Sequence, residues 1–252
     1  MKTLRGLIAG RPRWLNMHGL ASFRAWVSAF LLLAACGAPL AHAQTNASLE
    51  HVLDAMDAAG KKFTTTQAKF VWDQYTSVVK DTVTEQGKIY FRRVGGETQM
   101  AVEVLDPSKY VLLTGGKLQL YVPKSDQVMV YNLQNNQGVF ESFLQLGFGG
   151  GGHALLKSFD LEYGGTETVD GVETSKLDLV PKNPKALDMF PHIILWIDPA
   201  RGISVRQQLF QKSGDYRLAI YSDIRLNEKI PEAVFKLKTN SKTTFQTVSP
   251  RD

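Results

Sequence analysis

Arg93 stands on an apolar face. Along residues 88–93, Ile89, Phe91 and Arg93 alternate with Lys88, Tyr90 and Arg92, and the two-residue period of a strand puts Arg93 on the side of Ile89 and Phe91. A guanidinium left unpaired at an apolar surface carries a large desolvation cost, so it needs acceptors. Two arrangements supply them: the side chain snorkels from a strand end into water, or it hydrogen-bonds backbone carbonyls of a helix lying across the sheet and holds that helix closed. Other residues with chemistry to offer are sparse. Beyond residue 43 the histidines are His51, His153 and His192, with no H-x-x-x-H or H-E-x-x-H spacing and no neighbouring cysteine, so no metal is expected. No G-x-S-x-G elbow supports a catalytic triad, and a cryptic esterase would have to bring a nucleophile beside His192 or His153 from elsewhere in the chain. Gly147, Gly149 and Gly152 spell G-x-G-x-x-G but follow a helix-like segment instead of a strand, which removes the phosphate-cradling geometry. They read as a hinge or a loose lid loop. The expectation is a protein without enzymatic activity or cofactor.

The elements that must position these residues follow from periodicity. Leu49, Val52, Leu53, Met56 and Ala59 recur at helical spacing and predict an amphipathic helix over 47–62. Period-two runs predict strands from Thr66 to Val104, then at 110–113, 118–122, 128–131, 159–163, 172–180, 192–198, 203–210, 216–226 and 234–237. Gly115-Gly116, Pro123 to Asp126 and Asp170-Gly171 mark short turns between them. Phe140, Phe143, Leu144 and Leu146, followed after the glycines by Leu155 and Leu156, predict two short helical pieces. The fold expected is mainly β (α+β): an incomplete antiparallel β-barrel of about eleven strands, with a few helices as a lid over an apolar cavity.

Strand 192–198 is apolar on both sides, and Tyr216, Leu218, Ile220, Ile224 and Leu226 make a long apolar face. Either the helices and the far wall cover these faces as packed core, or part of the interior stays open for a ligand. The candidate cavity and lid residues are Ile89, Phe91, Arg93, Val102, Leu120, Phe140, Phe143, Leu144, Leu195, Leu218 and Ile220. Phe140, Phe143, Leu144, Leu155 and Leu156 are the candidates for a plug that fills the empty cavity.

Within 252 residues, the formal charge of +5 is misleading. Lys2, Arg5, Arg11, Arg13 and Arg24 lie in residues 1–43, which hold no acid, and the remaining basic residues balance the 24 acidic ones. The body has no excess positive field, and nucleic acid is not an expected partner. Residues 1–43 read as a secretory signal peptide: a basic start, an apolar run over 25–35, and Ala41-His42-Ala43 before Gln44. That run is about half of the roughly 20 residues that span a bilayer. Cleavage after Ala43 leaves a soluble, cysteine-free domain over 44–252. The competing site is Leu33-Ala34-Ala35-Cys36, a lipobox-like tetrad that would leave Cys36 acylated and the protein lipid-anchored. Either product lacks a disulfide.

Taken in order, Phe63 to Phe70, Gly87 to Arg93, Thr114 to Val128 and Ile230 to Leu237 resemble the LolA-type outer-membrane lipoprotein carriers over nearly all of 47–248. The resemblance implies a periplasmic monomer that takes acyl chains of lipoproteins into its cavity. It would receive them from an inner-membrane lipoprotein-releasing transporter and pass them to an outer-membrane receptor. It also implies that Arg93, by position, is the residue that holds the lid. The chain departs from the family pattern at Val94, where a proline is usual, and at Glu97 to Met100, where an Arg-Trp pair is missing. The lipid-anchored receptor and a periplasmic lipid- or lipoprotein-sensing regulator share the fold and are the alternative readings.

Overall fold

The computed structural model describes residues 39–133, 143, 146 and 148–248, with side chains from 46 onward. The leader with Cys36, and Phe140 and Leu144 of the expected plug, lie outside the described residues. The chain divides into two compact units, 1–42 and 43–252, and the second carries the sheet.

A first helix, α1 (Pro39–Lys62), leads into β1 (Thr65–Thr76), β2 (Asp81–Val94), β3 (Glu97–Val104), β4 (Lys109–Thr114), β5 (Lys117–Val122) and β6 (Gln127–Asn132). After α2 (Gly152–Ser158) come β7 (Phe159–Val169), β8 (Val172–Pro181), α3 (Pro184–Met189), β9 (His192–Asp198), β10 (Ile203–Phe210), β11 (Tyr216–Leu226) and β12 (Thr244–Val248). The twelve strands form one open sheet in the order β12-β6-β5-β4-β3-β2-β1-β11-β10-β9-β8-β7. Two meanders, β1–β6 and β7–β11, therefore meet along the antiparallel β1–β11 pair, where Thr66 lies opposite Leu226 and Tyr75 opposite Tyr216. No helix among the described residues is long and apolar enough to cross a membrane.

The expected mainly β, unclosed barrel is the observed architecture, with two differences at its C-terminal end. Val234 to Leu237 do not form a strand. Glu232–Phe235 make a 3-10 turn after Pro231, and Ile230 and Phe235 pack on Ala101 and Leu112 of the outer sheet face. The last strand is β12, which runs parallel to β6 and makes the sheet mixed. Its residues are almost all exposed, so no apolar alternation announces it. Helix α3 was also not anticipated, although Asn183-Pro184 is a start signal: the Asn183 side chain accepts from the backbone N–H of Lys185 and Ala186, and Pro184 needs no partner in the first turn.

The core sits under α1. Val52 and Met56 pack with Leu155 of α2, Phe159 of β7, Leu177 and Leu179 of β8, and Ile193, Leu195 and Ile197 of β9. Each such side chain contributes about 1.5–3 kcal/mol relative to exposure. On the opposite face of β9, Ile194 and Trp196 form a second cluster with Val169 and Val205, and Arg206 lies over the Trp196 ring at 4.3 Å. Both faces of β9 are thus packed core, which accounts for its doubly apolar sequence.

Candidate functional site

Where α1 does not reach, the concave face stays open. A cavity of about 1070 Å³ runs along β1–β6 and β10–β11, at the upper end of the range for small-molecule sites. Strand alternation builds its wall: Phe70 and Trp72 of β1, Ile89 and Phe91 of β2, Met100, Val102 and Val104 of β3, and Leu118 and Leu120 of β5 all face it. On β11 the lining residues are Arg217, Ala219 and Tyr221. Burial raises the pKa of Tyr221 well above the ordinary phenol value, so its hydroxyl is neutral and donates to Gln207 Oε1 at 3.2 Å. Glu85 is buried in the wall and paired with Lys109.

Of the residues expected at the site, Ile89, Phe91, Val102, Leu120 and Phe143 line the cavity. Leu195 does not, because it is fully buried in the core beneath α1. Leu218 and Ile220 also fall outside the cavity: they share strand parity with Tyr216 and lie on the other face of β11, where Ile220 pairs with the half-exposed Val71. Of the plug candidates, Leu155 is core and Leu156 is 37% exposed. Reasoning from periodicity alone missed Trp72, Met189, Phe190 and Arg217, which come from different elements and converge only in the fold.

Phe143, Leu146 and Phe148 line the cavity, whereas no described side chain of α1 does. Those three side chains point inward, and Phe148 stacks on Phe91 at 5.3 Å and meets Tyr221 edge-on at 4.9 Å. Three anchors hold this segment. Gln207 Nε2 donates to the Leu146 carbonyl. Arg93, at the end of β2, donates to the carbonyl of Gly149 at 2.7 Å and to that of Gly60 in α1 at 3.2 Å, with its guanidinium carbon 5.1 Å from the centre of the Phe63 ring. His153 is the third anchor: Nδ1 lies 2.7 Å from Asp57 Oδ2 and Nε2 3.0 Å from Glu50 Oε2.

With a carboxylate at each ring nitrogen, both nitrogens of His153 act as donors, and the hydrogen bonds to Glu50 and Asp57 raise its pKa above the usual histidine value. Burial works against the ionised form of Asp57, but the His153 hydrogen bonds and the charges of His153 and Lys61 outweigh it and hold the carboxyl below its ordinary value. Asp54, Asp57 and His153 bring ligand-type atoms within 4.8 Å of one another. Since both imidazole nitrogens already serve the carboxylates, this cluster reads as an ion-pair clasp between α1 and α2.

The glycine run also has a packing role. A Cβ on Gly152 would collide with the backbone of Leu53, and one on Gly149, whose φ is +79°, would enter the Phe63 ring. Here the missing side chains let the segment lie directly on α1.

Together these features make an open, mostly antiparallel sheet curled about an apolar cavity. No family model and no curated protein sequence matches the chain. Solved structures do. An uncharacterized conserved protein from Thermus thermophilus is similar over 80% of this chain and 99% of its own, with 12% identity and a TM-score of 0.51. A LolA superfamily protein from Nitrosomonas europaea is similar over 75% of this chain and 97% of its own, with 14% identity and a TM-score of 0.38. MucB in the Pseudomonas aeruginosa MucA/MucB complex matches over 75% of this chain and 61% of its own, with 16% identity and a TM-score of 0.46. At these identities the likeness is one of fold.

Proposed function

We propose that the protein is a periplasmic carrier that takes the acyl chains of lipoproteins into the cavity and conveys them from the inner to the outer membrane. The cavity carries this reading: apart from Gln74 and the paired Glu85 and Lys109 its wall over β1–β5 is aliphatic and aromatic, and Phe143, Leu146 and Phe148 add apolar side chains to it. An acyl chain moved from water into such a wall gains about 0.8 kcal/mol per methylene, enough for tight capture. Release then requires a cheap alternative occupant. Phe143, Leu146 and Phe148 fill that role when the segment closes, and Arg93, Gln207 and His153 fasten it. The mechanism is binding and release, with no bond broken. The motifs at 63–70, 87–93, 114–128 and 230–237 support the same reading and imply a releasing transporter and an outer-membrane receptor as partners.

The test is reconstituted transfer. Incubated with inner-membrane vesicles that hold an acylated lipoprotein and its releasing transporter, the protein should form a soluble one-to-one complex. It should then surrender the lipoprotein to outer-membrane vesicles. Formation of no complex would refute the carrier role. A tight complex with a membrane-bound regulator, without transfer, would replace it by the sensing role.

A further inference from the structure

Among the described residues, five charged ones line the cavity, all at the end away from Arg93: Glu85, Lys109, Asp188, Lys212 and Arg217. Four of them neutralise one another. Lys109 is paired with Glu85, and Lys212 with Asp188 at 2.6 Å. Other nearby acids are engaged too: Asp215 accepts from the backbone and hydroxyl of Ser77 at 2.7 and 2.8 Å, and Asp73 accepts from Thr84 at 2.6 Å. Arg217 is left over. Its guanidinium lies 5.8 Å from the Trp72 ring centre and 5.6 Å from that of Phe190, and among the described residues it has no hydrogen-bond acceptor or ion-pair partner. The two rings orient a planar fork of donors that is half-buried at the end of an apolar cavity, and rings leave its N–H groups unfilled. Such a fork matches a carboxylate or a phosphate oxygen pair.

We propose that this end of the cavity is a headgroup site, in which Arg217, steadied by Trp72 and Phe190, binds the anionic group of a long-chain amphiphile whose chain lies along the apolar wall. The inference rests on the cavity holding acyl chains, but not on those chains belonging to a lipoprotein. It adds free fatty acids and singly charged phospholipids to the ligands that the protein accepts. Two positive-negative pairs beside Arg217, unpaired among the described residues, select a single negative charge, because a neutral lipid leaves Arg217 unsatisfied and desolvated beneath it.

The experiment compares the fluorescent fatty acid cis-parinaric acid with its methyl ester, which has the same chain and no charge. The parent protein should bind the acid about tenfold more tightly than the ester, the difference expected for a charge-assisted hydrogen-bonded contact. Arg217→Leu should remove the preference, so that acid and ester bind equally, while Arg217→Lys should retain part of it. Displacement of the bound acid by oleate, lysophosphatidylglycerol and monoolein separates the sources: oleate identifies a carboxylate site and lysophosphatidylglycerol, a singly charged phosphodiester, a phosphate site. Equal binding of acid and ester by the parent, or displacement by monoolein as effective as by the charged lipids, overturns the headgroup site and leaves the cavity reading intact. Binding of neither probe overturns both. If Arg217→Leu fails to fold, the acid-to-ester ratio of the parent decides by itself.

Discussion

Arg93 was legible from its neighbours because strand parity alone set it on the face of Ile89 and Phe91. Its acceptors, Gly60 and Gly149, lie on other elements and follow only from the fold. Its side chain is exposed, and each of its two hydrogen bonds is worth about 1 kcal/mol net. Arg93→Leu should therefore keep its melting temperature within about 4–8 °C of the parent. It should still accept acyl cargo, but should accumulate as a loaded complex because the closing segment is no longer drawn back over the cavity. Chromatography of periplasmic protein for co-eluting lipoprotein checks this, and normal transfer would make Arg93 a structural strand-end residue. The partners of His153 were not legible: Glu50 and Asp57 share a stripe of α1, but nothing local ties that stripe to a histidine about a hundred residues on. Because the folded-state pKa of His153 is raised, its ion pairs contribute stability that is complete below the ordinary histidine value of 6.5 and is lost as pH rises through the raised one. Asp57, held low, loses its share only as pH falls through its own depressed value. The clasp is intact between the two. In thermal melts His153→Gln should lower the melting temperature most at about pH 6, and the difference should shrink by about pH 9.

Strands were read well and their facings less well. On β11 the longer apolar face, Tyr216, Leu218 and Ile220, turned out to be the outer one, because the register that sets Ala219 opposite Trp72 puts Arg217, Ala219 and Tyr221 inside. Both faces of that strand carry hydrophobic residues, so composition could not choose between them. Leu195 was misplaced for a related reason: an inward residue of β9 is core or cavity wall according to whether α1 lies above it. The distinction can be tested. Leu195→Ala, at a fully buried position, should cost about 2–5 kcal/mol in denaturant unfolding, with probe binding per folded molecule unchanged. Leu120→Asp should weaken binding of a fluorescent fatty-acid ester about tenfold or more, since it puts a charge where the chain lies, while costing less stability than Leu195→Ala. The reverse ranking would mean that the cavity is not the binding site.

For the molecule as a whole, the even charge of the body and the confinement of the basic surplus to residues 1–43 lead to an expectation about processing. Protein recovered from the cell envelope should begin at Gln44 and dissolve without detergent, as N-terminal sequencing and mass spectrometry can establish. An acylated Cys36 at the N-terminus would make the chain an anchored receptor. The arrangement of strands has a kinetic consequence as well. Each meander is built from neighbours in sequence and can assemble quickly, whereas the β1–β11 seam joins distant stretches and must close a long loop first. The cavity wall crosses that seam, with Trp72 on one side and Ala219 on the other. A chain bound there as proposed would touch both halves and act as a clip across the join. Occupancy should then slow the parting of the two halves, and the loaded protein should outlive the empty one under proteolysis.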